Sequence, residues 1–277
     1  MPAQSKFIQA NSLQLHYLDF GNASAPPIVC IHGLSGNAHN FDGLAPKLAS
    51  RYHVLSLDVR GRGDSAWGAA ADYNPVIYVA DLLAFITELG LDRISLIGTS
   101  MGGIISMIFA GGYPERVERL VLNDIGPEID AAGLKRITDY FTEAPTEFAT
   151  MADVAAYYRA NYPFLSNASE SELLEFVKWS VKPTPGGLTW KIDPAIRNIP
   201  RTGAAARPID LWVPYARIQA KVLVVRGADS DILAAATAER MRMVLPGTES
   251  IDVPSVGHAP TLNEPAASSA IIRFFNA

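Results

Sequence analysis

The run Ile97-Gly98-Thr99-Ser100-Met101-Gly102-Gly103 constrains this chain more than any other stretch. A short apolar segment, 94–97, precedes it and has the character of a buried strand. A run of small and apolar residues, 104–110, follows it and suits a helix. The order is therefore strand, G-x-S-x-G, helix. A turn that tight holds its serine in a strained backbone conformation with Oγ exposed. Glycine is required at 98 and 102 because a Cβ at either would meet the backbone of the neighbouring strand or helix. The helix N-terminus behind Ser100 favours developing negative charge. Two other glycine-rich turns are excluded by spacing. A phosphate loop needs G-x-x-x-x-G-K-[ST], and a dinucleotide turn needs G-x-G-x-x-G.

The rest of the chain supplies the sheet into which such a strand must fit. Residues 7–10 and 13–19 alternate polar and apolar positions around Asn11-Ser12, the pattern of an N-terminal hairpin with one wet face. Pro26-Pro27 stops the chain. The continuous apolar run 28–31 then suits a central parallel strand covered on both faces. It ends at His32-Gly33-Leu34-Ser35-Gly36. The run 54–57 ends at Asp58, followed by Arg60-Gly61-Arg62-Gly63-Asp64-Ser65, within which the Arg-Gly-Asp tripeptide is a chance match. Residues 82–89 are helical by spacing. Strands alternate with helix-length segments, which predicts an α/β fold with a mostly parallel central sheet and right-handed crossovers. Ligands in such sheets sit beyond the carboxyl ends of the strands, where all these glycine-rich loops fall.

The 277 residues suit one sizeable core, or one with an insertion. A net charge of -5 argues against nucleic-acid or polybasic membrane partners. No apolar run is long enough for a membrane span, and no apolar leader is visible at the N-terminus, so a cytoplasmic enzyme is expected. The single cysteine, Cys30, lies inside an apolar strand and is expected to be a small core residue.

Four motifs together resemble the α/β-hydrolase fold superfamily, specifically its serine esterases and lipases with a helical cap. They are His32-Gly33 after the third strand, Asp58-x-Arg60-Gly61-x-Gly63-x-Ser65 after the fourth, Gly98-x-Ser100-x-Gly102 after the fifth, and Gly257-His258 near the C-terminus. The resemblance implies an oxyanion hole made by the backbone N–H groups of Leu34 and Met101. It gives His32 and the Asp58/Arg60 stretch bracing roles. It also implies that the middle of the chain is a helical cap. The apolar runs 120–124 and 222–225 lie about a hundred residues apart, far more than one crossover helix needs. The core is accordingly read as 1–125 and 217–277, and the cap as 126–216. Helical spacing is present at 133–141, 153–160 and 170–180, interrupted by Pro183-Thr184-Pro185-Gly186-Gly187. Most of the many aromatics here are expected to pack the cap, and a few to line an apolar pocket. Arg197, Arg201 and Arg207 are read as solvated surface residues rather than carboxylate ligands.

The last sixty residues complete the order serine, acid, histidine that the resemblance implies. His258 sits in a loop after a strand, beside a glycine and before the closing helix. His16, His39 and His53 have no such context. Relatives carry the acid three residues after the glycine that ends the strand 222–225, but Ser230 stands there. Asp231 is the favoured acid, Asp229 the next, and Asp124, after the preceding strand, the third. The implied chemistry is hydrolysis of a small to medium apolar carboxylic ester through an acyl-enzyme, with no metal or organic cofactor. Ser100, Asp231 and His258 are the catalytic residues of this reading. The partner is a small-molecule ester, with the oligomeric state left open between monomer and homodimer. Alternatives are hydrolysis of a C–C bond in a ring-cleavage dienoate, acyl transfer to a non-water acceptor, and a non-catalytic ligand receptor of the same fold.

Overall fold

The computed structural model describes residues 3–165, 168–199 and 209–277. Its central strands are β1 (Gln4–Ala10), β2 (Leu13–Asp19), β3 (Pro27–Ile31), β4 (His53–Leu57), β5 (Ile94–Thr99), β6 (Val117–Asn123), β10 (Lys221–Gly227) and β11 (Glu249–Val253). They form one eight-stranded sheet in the order β1-β2-β4-β3-β5-β6-β10-β11. β1 and β2 make the antiparallel hairpin read from the sequence, and Asn11 and Ser12 both take positive φ, 48° and 60°. Two such residues make the primed turn whose twist matches the flanking strands. From β4 across to β11 every pairing is parallel. β3, β4 and β5 are buried along nearly their whole length, as continuous apolar runs between two helical layers must be.

The flanking helices are α1 (Ala45–Leu48), α2 (Pro75–Glu88), α3 (Met101–Gly112), α8 (Ala235–Val244) and α9 (Pro265–Asn276). α2 starts well before the periodic run 82–89. The Asn74 side chain caps it by accepting from the N–H groups of Val76 and Ile77, and Pro75 occupies its first turn. That cap and proline are the signals the apolar spacing alone does not carry.

The segment between β6 and β10 contains α4 (Ala131–Glu143), α5 (Met151–Asn161), α6 (Glu170–Val177) and α7 (Trp212–Tyr215). It also holds a small antiparallel sheet of β7 (Glu147–Phe148), β9 (Gly187–Trp190) and β8 (Val181–Thr184), in that order. The Pro-Gly stretch read as an interruption of helices is therefore a hairpin turn. Pro183 is tolerated because β8 is an edge strand with no outer neighbour to receive a donor. Side-chain contacts fasten this segment to the loops at the carboxyl end of the sheet. The Tyr162 hydroxyl donates to Ser35 Oγ at 2.8 Å, Lys191 meets Asp64 at 2.7 Å, and Arg136 meets Asp231. Among the described residues, no helix is long and apolar enough to cross a membrane. Arg201 and Arg207 lie outside the described residues. Arg197 is half-buried and donates to the carbonyls of Ala144 and Pro145, so it braces the inserted segment instead of standing in solvent.

Candidate active site

β5 ends at Thr99, and the chain reverses into α3 through Ser100. The serine adopts φ 50° and ψ -113°, a conformation that costs an L-residue energy and must be imposed by its surroundings. Two glycines make that possible. A Cβ at Gly102 would lie 2.0 Å from the Ile31 carbonyl oxygen, and one at Gly98 would lie 2.5 Å from the Gly102 carbonyl oxygen. Both obstacles are backbone, so α3 can approach β3 and β5 this closely only without side chains there. The Ser100 N–H donates to the Asn123 carbonyl at 3.0 Å, which ties the turn to the end of β6.

The Ser100 hydroxyl lies 2.9 Å from His258 Nε2, and His258 Nδ1 lies 2.8 Å from Asp124 Oδ2. The three residues are far apart in sequence and come from the ends of β5, β6 and β11. His258 is buried and Asp124 is fully so. Asp124 follows β6 with φ 54°, and its N–H donates to the Val225 carbonyl at 2.7 Å. Its carboxylate is fully engaged. Oδ1 accepts the Gly227 N–H at 2.8 Å, and Oδ2 accepts the Ser230 hydroxyl at 2.6 Å as well as the histidine. With Nδ1–H donating to a carboxylate, the imidazole presents the lone pair of Nε2 to the serine. Such a chain can take a proton from Ser100 while the aspartate stabilises the imidazolium that forms.

The acid is thus the point at which the sequence reading is corrected. Asp231 does not meet His258. Its two oxygens accept from Arg136 Nε and Nη2 at 2.5 and 2.8 Å, and this ion pair holds its carboxyl below the usual aspartate range. Asp229 is exposed, and its N–H donates to the Val256 carbonyl. Ser230 fills the position where an acid was looked for, and its hydroxyl bonds to the acid on the neighbouring strand. The signal available in the sequence was that pairing of features: a serine at the expected acid position and Asp124 directly after a buried strand.

Leu34 lies in the loop after β3 and Met101 opens α3, and both line the larger cavity with Ser100. The loop after β3 passes so close that a Cβ on Gly33 would lie 3.6 Å from Ser100 Cβ. Among the described residues, neither the Leu34 N–H nor the Met101 N–H has a hydrogen-bond acceptor in the protein. Two free backbone donors near a serine hydroxyl, one of them at a helix N-terminus, can receive an oxyanion.

His32 sets this loop. Its Nδ1 donates to the Gly33 carbonyl at 2.7 Å, and its Nε2 accepts the Val59 N–H at 3.0 Å. Accepting at Nε2 requires the neutral ring, and burial pushes the imidazole down to about 4. An unfolded chain would hold that proton near pH 6.5, so the unfolded state binds more protons between the two values. Stability is therefore present above pH 6.5 and is lost as pH falls toward 4, by about 3 kcal/mol. Denaturant unfolding at about pH 6.5, 5.5 and 4.5 checks this. The wild-type slope is expected to flatten in His32→Asn, and equal slopes in the two proteins would refute it.

Asp58 is buried and accepts from His16 Nδ1 at 2.6 Å and from the N–H groups of Ala38 and Asp64. Arg60 grips Asp81 through two N–H groups. These residues hold loops and do not reach the serine.

Two cavities meet at Ser100, Leu34 and Ile137. One, of about 90 Å³, contains His258 and is walled by Tyr140, Tyr158, Tyr162, Phe164 and Phe176 from the inserted segment. Burial pushes the Tyr158 and Tyr162 phenols well up, so they remain neutral donors. The other, of about 470 Å³, is lined mainly by isoleucine, leucine and proline. Phe148, Tyr157 and Trp190 pack against one another instead.

Comparison with known proteins agrees with this architecture. The pattern of the α/β hydrolase fold family matches residues 26–265. A 3-hydroxybutyrate-oligomer hydrolase of Cupriavidus necator is 35% identical over 95% of this chain and 92% of its own. A 2-(acetamidomethylene)succinate hydrolase of Mesorhizobium japonicum is 26% identical over 85% of this chain and 82% of its own. The crystal structure of an α/β hydrolase from Novosphingobium aromaticivorans superposes with a TM-score of 0.91 at 33% identity, covering 99% of this chain and 98% of that one. The parallel sheet, the serine turn after β5 and the family match together make this chain a member of the α/β-hydrolase fold family and a hydrolase.

Proposed function

We propose that the protein hydrolyses carboxylic esters through an acyl-enzyme, with short oligoesters of hydroxy acids as the substrate class. The observation that carries this reading is the hydrogen-bonded chain Ser100–His258–Asp124 beside two unused backbone N–H groups. His258 takes the proton from Ser100 as Oγ attacks the ester carbonyl. The Leu34 and Met101 N–H groups hold the oxyanion, an arrangement in which one donor contributes about 10²–10³ in rate. The imidazolium then protonates the departing alcohol. A water, deprotonated by the same histidine, resolves the acyl-enzyme and restores the serine. The similarity to a 3-hydroxybutyrate-oligomer hydrolase over nearly the whole chain supports an oligoester, as does a large apolar cavity reaching the serine.

The experiment is hydrolysis of p-nitrophenyl esters from acetate to laurate, together with the 3-hydroxybutyrate dimer and trimer. Saturable turnover with a short-chain optimum, and monomer release from the dimer, is the expected result. Folded protein with no turnover on any of these would sink the reading. The similarity to a 2-(acetamidomethylene)succinate hydrolase supports a second one, in which the scissile bond is not an ester. Bleaching of a yellow dienoate by the pure protein would favour C–C hydrolysis.

A further inference from the structure

Among the described residues three arginines are buried, Arg60, Arg62 and Arg226, and they are not treated alike. Arg60 donates twice to Asp81, at 2.5 and 2.6 Å. Arg226 donates twice to Asp252, both at 2.8 Å. Arg62, at 1% exposure the most deeply buried of the three, has no carboxylate partner among the described residues. Its Nε donates to the Leu34 carbonyl at 3.0 Å, and its Nη1 to the Arg60 carbonyl at 2.9 Å and the Tyr78 hydroxyl at 3.0 Å. All three acceptors are neutral. Nη2 donates to no described residue.

The acids that surround this loop are engaged elsewhere. Asp58 serves His16 and two backbone N–H groups, and Asp81 serves Arg60 and Asn11. Asp193 accepts from the Tyr73 hydroxyl and the Ala195 N–H, while Asp64 pairs with Lys191. A guanidinium stays charged at every ordinary pH, and a buried cation without a counter-ion is costly. A fold that pairs its other buried arginines with aspartates has left this one open.

Arg62 lines the larger cavity, the same one that Ser100 opens into, and the walls between them are apolar, with Ile104, Ile129 and Ile196 among them. Leu34 connects the two ends, because its carbonyl accepts from Arg62 and it lines both cavities together with Ser100. We infer that Arg62 binds the free carboxylate of an acidic substrate, so that the preferred ester carries a carboxylate at the far end of a short hydrocarbon arm. This assignment rests on the ester-hydrolase reading of the same site. The two N–H groups of Nη2 would meet the carboxylate, and a charge-assisted bond between apolar walls is stronger than its equivalent in water.

Two substrates of equal chain length and leaving group test it, the mono-p-nitrophenyl ester of adipic acid and p-nitrophenyl hexanoate. Wild type is expected to favour the acidic ester in kcat/KM by at least about 10-fold, the scale of one charge-assisted contact. Arg62→Gln is expected to bring the ratio to one or below, and Arg62→Lys to restore part of it. General damage to the Leu34 loop affects both esters and cancels in the ratio. A wild-type ratio of one or less, or a ratio that survives Arg62→Gln, overturns the inference. Should Arg62→Gln fail to fold, inhibition of wild type by adipate and hexanoate decides. Both offer one carboxylate to the Leu34 and Met101 donors, and only adipate has a second for Arg62, so adipate is expected to bind at least about 10-fold tighter. Equal binding overturns the inference. If neither ester turns over, the ester-hydrolase reading falls, and thermal stabilisation by adipate against hexanoate still decides the role of Arg62.

Discussion

An alanine at position 100 is expected to lower kcat on the best p-nitrophenyl ester by about 10⁶-fold, leaving the fold intact. The size follows from the arrangement. Without Oγ there is no covalent step, and His258 loses its partner at 2.9 Å. What remains is water attack on an ester still held by the Leu34 and Met101 donors, which leaves some rate above the uncatalysed reaction. The side chain bears little of the packing load. The turn is held by the Ser100 N–H to the Asn123 carbonyl and by Gly98 and Gly102, none of which the substitution removes. The check is p-nitrophenolate release measured beside thermal unfolding. Retention of more than about a thousandth of the wild-type rate by a folded Ser100→Ala protein would show that the nucleophile is elsewhere.

The Asp124→Asn substitution is expected to lower kcat by about 10⁴-fold, whereas Asp231→Asn should change it no more than about threefold. The first effect follows from hydrogen-bond direction. The Gly227 N–H can only donate, so in Asp124→Asn the new amide oxygen must face it, as Oδ1 of Asp124 does at 2.8 Å. The amide NH₂ then points toward Ser230 and His258. To accept from it, His258 must carry its proton on Nε2, facing the serine hydroxyl it should deprotonate. The ring is in place but in the wrong tautomer. Ser230 Oγ already accepts from the Ile232 and Leu233 N–H groups, so it can accept from the amide only by giving up one of these bonds, which adds to the cost of the substitution. Asp231, by contrast, is bound to Arg136 on α4, and its side chain is 40% exposed. Losing that ion pair removes about 0–1 kcal/mol of stability and leaves the His258–Asp124 contact unchanged. Steady-state kinetics of the two variants distinguish the acids directly. A large loss in Asp231→Asn together with a small one in Asp124→Asn would reverse the assignment.

The positions that could be read from the sequence are those whose chemistry is local. The serine turn needs glycine at 98 and 102 because backbone oxygens lie 2.5 and 2.0 Å, respectively, from where a Cβ would be. That demand leaves the same trace in any chain that makes the turn. The parallel sheet was legible for a similar reason. Strands covered on both faces are apolar throughout, as 28–31 and 222–225 are, and a strand ending in a glycine-rich loop marks its carboxyl end. His258 was distinguished by its loop, its glycine neighbour and the helix after it. The hairpin at β8 and β9 was not legible. Its Pro-Gly turn is also what a break between helices looks like, and its pairing with β7 depends on residues far back along the chain.

Asp124, Asp229 and Asp231 all follow adjacent parallel strands, β6 and β10, whose carboxyl ends lie one strand spacing apart. By position in the chain each of them can reach the histidine loop. The choice was made by partners from distant segments. Arg136, 95 residues away in sequence, draws Asp231 out toward the inserted helices, while the Gly227 N–H and the Ser230 hydroxyl aim Asp124 inward. The open guanidinium of Arg62 belongs to the same category, since its distinction from Arg60 is the absence of an acid that only folding could have brought near. The sequence by itself determined the tight serine turn, the glycine-histidine loop and the sheet, because close backbone approach and burial select residue types one position at a time. Which aspartate meets His258, and the charge at the cavity wall, were decided by tertiary structure, because a hydrogen bond or an ion pair depends on where a second, distant side chain arrives.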